Sequence, residues 1–197
     1  MDILCTFLNH RPDLSKWIAR PINPAIARGP GPRDHRDNHE RVIGVETSGP
    51  PQPGGLHSRA ATLILSYQVF PPSLLSGVLE RTPVDVGDTV GAAYHFLPGI
   101  DIFFASRVVE RFDREENGLW RTGFTHQTLV EHPELGQETF VVEKNLQSGE
   151  ITVALRAWSR TGLWLTKLGA PVVRRLQVNA GQAALDYLGQ AAKHGTV

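Results

Sequence analysis

Two short turns fix more of this chain than any other feature. Asn117-Gly118 and Ser148-Gly149 each lie between two runs in which apolar and polar residues alternate. Asn-Gly supplies the left-handed backbone that a tight hairpin needs, and Ser-Gly is read the same way. The runs around them, "IDIFFASRVVERFD", "LWRTGFTHQTLVEH", "QETFVVEKN" and "ITVALRAWSR", are rich in β-branched and aromatic residues. Consecutive strands joined by short turns make an antiparallel meander. "VGDTVGAAYHFLPG" precedes it, with Val90, Ala92, Tyr94 and Phe96 on one parity. One sheet of about six strands is expected.

The remaining segments supply the helices. "LHSRAATLILSYQVF" carries Ala61, Ile64, Leu65 and Gln68 at helical spacing, with Ser58 as the expected N-cap and Pro71-Pro72 as the stop. After the meander, Leu165, Leu168, Val172, Leu176, Ala180, Ala183, Tyr187 and Ala191 recur every three or four residues, one helical stripe. Pro171 opens or kinks that helix, which runs to Ala192. An antiparallel sheet with one long final helix predicts an α+β fold in which a curved sheet grips the helix and leaves a cavity between them.

Residues 1–40 read differently. Pro12, Pro21, Pro24, Pro30 and Pro32 interrupt the stretch and forbid a long helix. The expected organisation is an irregular Pro-rich N-terminal arm over 1–40, with two helical turns in "PDLSKWIA", and a helix-grip domain over 41–197 that starts with a short strand in "ERVIGVET".

Totals exclude several functions. Lys plus Arg equals Asp plus Glu, 20 each, which lacks the basic footprint of a nucleic-acid binder. Cys5 is the only cysteine, so no intramolecular disulfide and no multi-thiolate zinc site can form. No apolar run approaches the roughly 20 residues of a membrane span, and the N-terminus lacks signal-peptide character. The expected setting is cytoplasmic.

"GFTHQTLVEHPELGQETFVVE" concentrates His126, Glu131, His132, Glu134 and Glu138. Strand parity turns His126 away from Glu131, and no His-Glu-x-x-His spacing is present, so the segment reads as two strands with a Pro133–Gly136 turn rather than a metal site. His132 and Glu138 are expected to hold that turn through its backbone. His35 and His39 could share a metal only on a helix, which "RGPGPR" before them disfavours. Tyr94 and His95 are adjacent in a strand, so one of them faces the cavity. Arg107, Arg156 and Arg160 are read as surface ion-pair partners, or as one arginine at the cavity mouth for a ligand carboxylate or phosphate. No metal and no cofactor are expected.

"SYQVFPP", then "TLVEHPELGQETFVVE", then "ALRAWSRTGLWLTKLGAPVVRRLQ" together resemble an uncharacterised bacterial and plant family known as domain of unknown function nineteen-ninety. The family's central pattern is then kept at Gly123, Phe124, Thr128, Leu129, His132, Gly136, Glu138, Phe140, Val142 and Glu143. His126-Gln127 replaces the usual Tyr-Gly, Glu131 a usual Gly, and Gln137 the first of a usual Glu pair. Ala157, Ser159 and Arg160 keep a later element, and "LGAPVVRRLQ" the start of the last helix. The resemblance covers roughly residues 38–190. It implies a START-like, birch-pollen-allergen-like helix-grip fold with an apolar pocket under the long helix, and it carries no activity to transfer.

Parity then names the pocket. Tyr94, Phe96, Phe124, Phe140 and Leu155 are expected to face Leu168, Val172 and Leu176 of the helix, with His126 in the same space. The first functional reading is a protein that binds a small apolar or amphipathic molecule there. The second is an enzyme acting in that pocket, cyclase- or hydrolase-like, which requires two ionisable groups to converge in it. The third is an interaction protein with a filled core.

Overall fold

The computed structural model describes residues 1–32, 34–161 and 170–195, the side chains of 161 and 170–179 excepted. Its strands are β1 (Asp2–Cys5), β2 (His35–Val45), β3 (Leu75–Leu79), β4 (Thr89–Leu97), β5 (Ile100–Glu116), β6 (Leu119–Thr128), β7 (Glu134–Asn145) and β8 (Glu150–Thr161). The helices are α1 (Ser15–Ile18), α2 (Leu56–Leu65) and α3 (Ala170–His194), with 3-10 turns at Thr6–Leu8 and Pro24–Arg28.

All the strands form one antiparallel sheet in the order β2-β8-β7-β6-β5-β4-β3. The two hairpin turns lie where the Gly signals put them, with Asn117, Gly118 and Gly149 at positive φ. β1 pairs with Ile100–Phe103 of β5, on the edge whose other end, from Ser106 onward, pairs with β6. β1 and β6 therefore lie end to end along one strand. β5 can serve both because it is 17 residues long. A bulge between Val108 and Glu110 shifts its register by one residue, so Val108 packs into the inner core and Phe112 into a cluster with Val141 and Ala154 instead.

The inner face buries the main core. Phe124, Phe140, Val142, Ile151, Val153 and Leu155 of the sheet pack against Ala60, Leu63 and Ile64 of α2 and Ala184, Leu185, Leu188 and Ala192 of α3. Each such large side chain contributes about 1.5–3 kcal/mol on burial. From residue 180 onward the buried face of α3 is rotated from the expected stripe, which it keeps at Ala191. Gly181, Ala184, Leu185, Leu188 and Ala192 are buried beside it, whereas Ala180, Ala183 and Tyr187 are half-buried. Two glycines set this rotation. A Cβ on Gly181 would come within 2.9 Å of His39, and one on Gly189 within 2.9 Å of Ile43 Cγ2. Close backbone approach, rather than bulk, selects the contact face.

α2 begins at Leu56, ahead of the expected cap at Ser58. Its first turn is capped from a distance: Glu46 Oε1 accepts a hydrogen bond from the His57 N–H at 2.9 Å. Glu46 Oε2 accepts another at 2.7 Å from Lys144 Nζ, whose side chain is fully buried and also donates to the Pro50 carbonyl.

The first forty residues differ from an irregular arm. His35–Glu40 belong to β2, so the expected 40/41 boundary falls inside a strand. Upstream, Trp17 is completely buried, and Leu4, Leu14 and Trp17 pack with Ala93, Phe103, Ala105 and Leu129 on the outer face of the sheet. Trp17 Nε1 donates to Asp2 Oδ2 at 3.0 Å, its ring meets Phe103 edge-on at 6.2 Å, and the Arg20 guanidinium lies 4.0 Å above it. Prolines did prevent long elements here, but short ones suffice to dock an aromatic anchor.

Candidate functional site

Between the inner face and the helices lies a cavity of about 260 Å³. Its apolar wall includes Phe70, Leu75, Ala92, Ile102, Phe104 and Leu155, and its polar groups include Tyr67, His126, His132, Glu138 and Asp37. Of the residues expected from parity, Tyr94, Phe96, His126 and Leu155 line this space. Phe124 and Phe140 are buried behind it, in an aromatic cluster with Tyr67 and His126 whose ring centroids are 5.5–6.2 Å apart. Leu168, and the side chains of Val172 and Leu176, lie outside the described residues.

The register sets the polar row. His126 on β6 stands opposite Val108 and Glu138, Glu138 opposite Ala157 of β8, and Ala157 opposite Asp37 of β2. His126, Glu138 and Asp37 thus share one line across the inner face, with a methyl group between the two carboxylates. His126 Nε2 lies 3.1 Å from Glu138 Oε2. The histidine is 7% exposed, and its Nδ1 is buried without a hydrogen-bond partner. A buried polar atom left unpaired costs about 1–3 kcal/mol.

Two expectations about this hairpin are corrected. The turn is Leu129–His132, where the His132 N–H bonds the Leu129 carbonyl at 3.1 Å and Glu131 takes φ 70°, not Pro133–Gly136. Gly136 is a strand residue, and any Cβ there would lie 2.2 Å from the Trp158 carbonyl oxygen. His132 does bind the backbone as expected, its Nδ1 lying 3.0 Å from both N and O of Glu134. Glu138 does not; it pairs with His126. Burial pushes the His132 imidazole down to about 3, and its ring is 4.7 Å from that of Phe104. Tyr67 closes α2 in a left-handed conformation, φ 54°. Burial, aided by the Glu138 carboxylate, raises its phenol well above the ordinary range, so it is a neutral donor.

The other candidates serve the scaffold. Arg107 donates to the carbonyls of Ile18, Arg20 and Gly87, Arg156 makes a two-bond pair with Glu143, and Arg160 makes one with Asp34. None of the three lines the cavity. His35 and His39 sit four apart on a strand, about 13 Å at about 3.3 Å per residue, too far for one ion. Among the described residues, no three His, Cys, Asp or Glu side chains are grouped to hold a metal, and no helix is long and apolar enough to cross a membrane.

Tyr67, Phe70, Phe104 and Glu138 were missed by sequence reasoning as pocket residues. Only Glu138 carried a findable signal, because a hairpin centred on His132 sets it opposite His126.

The chain is similar to several known proteins. The profile of the family described as "Domain of unknown function (DUF1990)" matches residues 23–186. A UPF0548 protein of Dictyostelium discoideum is 28% identical over 126 residues, 60% of this chain and 58% of the length of that relative. Among solved structures, hypothetical protein jhp0584 from Helicobacter pylori superposes with a TM-score of 0.56 at 13% identity, over 87% of this chain and 96% of that one. Ara h 8.0201 gives 0.45 at 11% identity, over 82% and 99%.

Proposed function

The chain belongs to the DUF1990 family, and from that premise we propose that it is a binding protein for a small apolar or amphipathic molecule held between sheet and helices. One observation supports this above the others: a mostly apolar cavity has the buried His126 imidazole at its wall with Nδ1 unpartnered. With the Nε2–H donating to Glu138, Nδ1 is left as an unpaired acceptor, enclosed by its neighbours until a ligand hydroxyl or amine displaces them. The volume, about 260 Å³, falls just below the usual range of small-molecule sites and suits a ligand of modest size. Titration with a fluorescent fatty-acid-type probe tests the reading. Saturable binding with a blue-shifted emission is expected, and no binding of any apolar probe would end it.

The same pair favours a second reading. Two ionisable groups do converge at the cavity, so His126 could move a proton to or from a bound substrate with Glu138 holding the ring. Recovery of the bound molecule after incubation separates the two: a binder returns it unchanged, and an enzyme returns a product.

A further inference from the structure

On the opposite face of the sheet, three side chains from three strands form a hydrogen-bonded line. Ser76 Oγ on β3 lies 3.2 Å from His95 Nε2 on β4, and His95 Nδ1 lies 2.9 Å from Asp101 Oδ1 on β5. Asp101 stands directly opposite His95 in the register. Its side chain is 14% exposed, that of His95 34%, and Ser76 is on the surface. The order of contacts is a hydroxyl on one imidazole nitrogen and a carboxylate on the other. Such a carboxylate fixes the tautomer with the proton on Nδ1 and leaves the Nε2 lone pair for the hydroxyl proton. A further surface groove of about 460 Å³ has His95 and Asp101 in its wall, beside Phe96, Leu97, Pro98 and Gly99. Phe7, 71% exposed, and Leu97, 52% exposed, add apolar surface there, the Phe7 ring lying against Gly99. β3 is the edge strand. The bond from the His95 N–H to the Leu74 carbonyl sets the alternation that turns the Gly77 N–H, next to Ser76, toward the open edge.

We propose that Ser76, His95 and Asp101 form a second, hydrolytic site that cleaves esters with short apolar acyl chains. Ser76 and His95 are the catalytic residues and Asp101 positions the imidazole. His95 Nε2 takes the Ser76 proton as Oγ bonds to the acyl carbon, and the Gly77 N–H donates to the developing oxyanion. The bond from acyl carbon to alkoxy oxygen breaks, and His95 returns the proton to the departing alcohol. Water then gives a proton to His95 and its oxygen bonds to the acyl carbon. Ser76 Oγ leaves, reclaims the proton, and a carboxylic acid is released. Net, one ester and one water give one acid and one alcohol. This site stands apart from the cavity reading and does not depend on it.

The test is labelling with an alkyl fluorophosphonate, peptide mapping by mass spectrometry, and hydrolysis of p-nitrophenyl butyrate. Label on Ser76 of the unmodified chain is expected, which needs no variant to fold. Ser76→Ala and His95→Gln, each shown folded by its melting curve, are expected to lower kcat/KM about 100-fold or more. Asp101→Asn is expected to lower kcat with KM unchanged, a split that a purely structural role would not give. Ser148→Ala, an exposed serine in the β7–β8 turn, serves as the control and keeps full activity. No label, label on another residue, or hydrolysis that survives Ser76→Ala overturns the proposal.

Discussion

His126 and Glu138 face each other across the β6–β7 ladder, Nε2 to Oε2 at 3.1 Å, at a position where the opposite ring nitrogen has no partner. Removing each group separates their roles. His126→Phe keeps the ring packing and deletes the acceptor, and is expected to weaken an amphipathic probe more than a purely apolar one. Glu138→Gln keeps a hydrogen bond to Nε2 and is expected to change affinity by less. Equal loss for both probes with His126→Phe would show that the imidazole reads no polar group.

Ala157 lies in the cavity wall between Glu138 and Asp37, whereas Phe124 is 0% exposed inside the aromatic cluster. Ala157→Phe is therefore expected to fill the cavity and reduce probe uptake several-fold. Phe124→Trp overpacks a closed cluster instead, at about 1–3 kcal/mol of stability. Urea midpoints and probe titrations on both variants check the contrast.

Lys144 is buried with Glu46 as its only carboxylate partner among the described residues. Glu46→Ala strands that ammonium and removes the acceptor at the start of α2, so a loss of about 3–5 kcal/mol is expected. Lys144→Met, which removes the charge and keeps the volume, is expected to cost clearly less. Denaturant unfolding distinguishes them, and equal losses would contradict the account.

Acid should unfold the protein in two stages. His132 is depressed by burial to about 3, so the unfolded chain binds its proton first, near 6.5, and stability falls as pH drops from there towards 3. Glu143 is opposed by burial but held low by Arg156 and Arg121, so its contribution is present above the ordinary carboxylate range and is lost below it. Melting temperatures from pH 7 to 3 are expected to decline throughout, and His132→Gln should flatten the upper part of the curve.

Trp17→Ala removes the anchor of the outer cluster, and a loss of about 3–5 kcal/mol is expected. Limited proteolysis of this variant should cut within residues 6–32 first, while the inner core keeps its protection. An unchanged digestion pattern would mean that Trp17 does not hold the segment.

Much of the sheet was legible because its turns carry glycine at positions that need it and its strands alternate. What escaped was register. A turn across Pro133–Gly136 would set His126 opposite Glu143, whereas the observed ladder, centred on His132, sets it opposite Glu138, and the site follows from that difference. The left-handed residue is Glu131, a type that gives no warning of such a backbone. The face of α3 was misplaced at Ala180, Ala183 and Tyr187, though not at Ala191, for a related reason: glycines mark closeness, and hydrophobic periodicity counts only bulk. Docking of the first forty residues was hidden because Trp17 finds its surface on strands from far along the chain.

Those distant partners set an order of events during synthesis. Asp2 pairs with Phe103 and His35 with Ser159, so both N-terminal strands leave the ribosome long before their neighbours exist. β1 can be captured once β5 has emerged, but β2 must wait for β8, made after every other strand among the described residues. Loop closure over such spans costs entropy before any contact repays it, and these pairings should be among the last to form. In the interval Trp17 and the strand edges are unshielded, and a nascent-chain chaperone would meet the first forty-five residues while the meander is still incomplete.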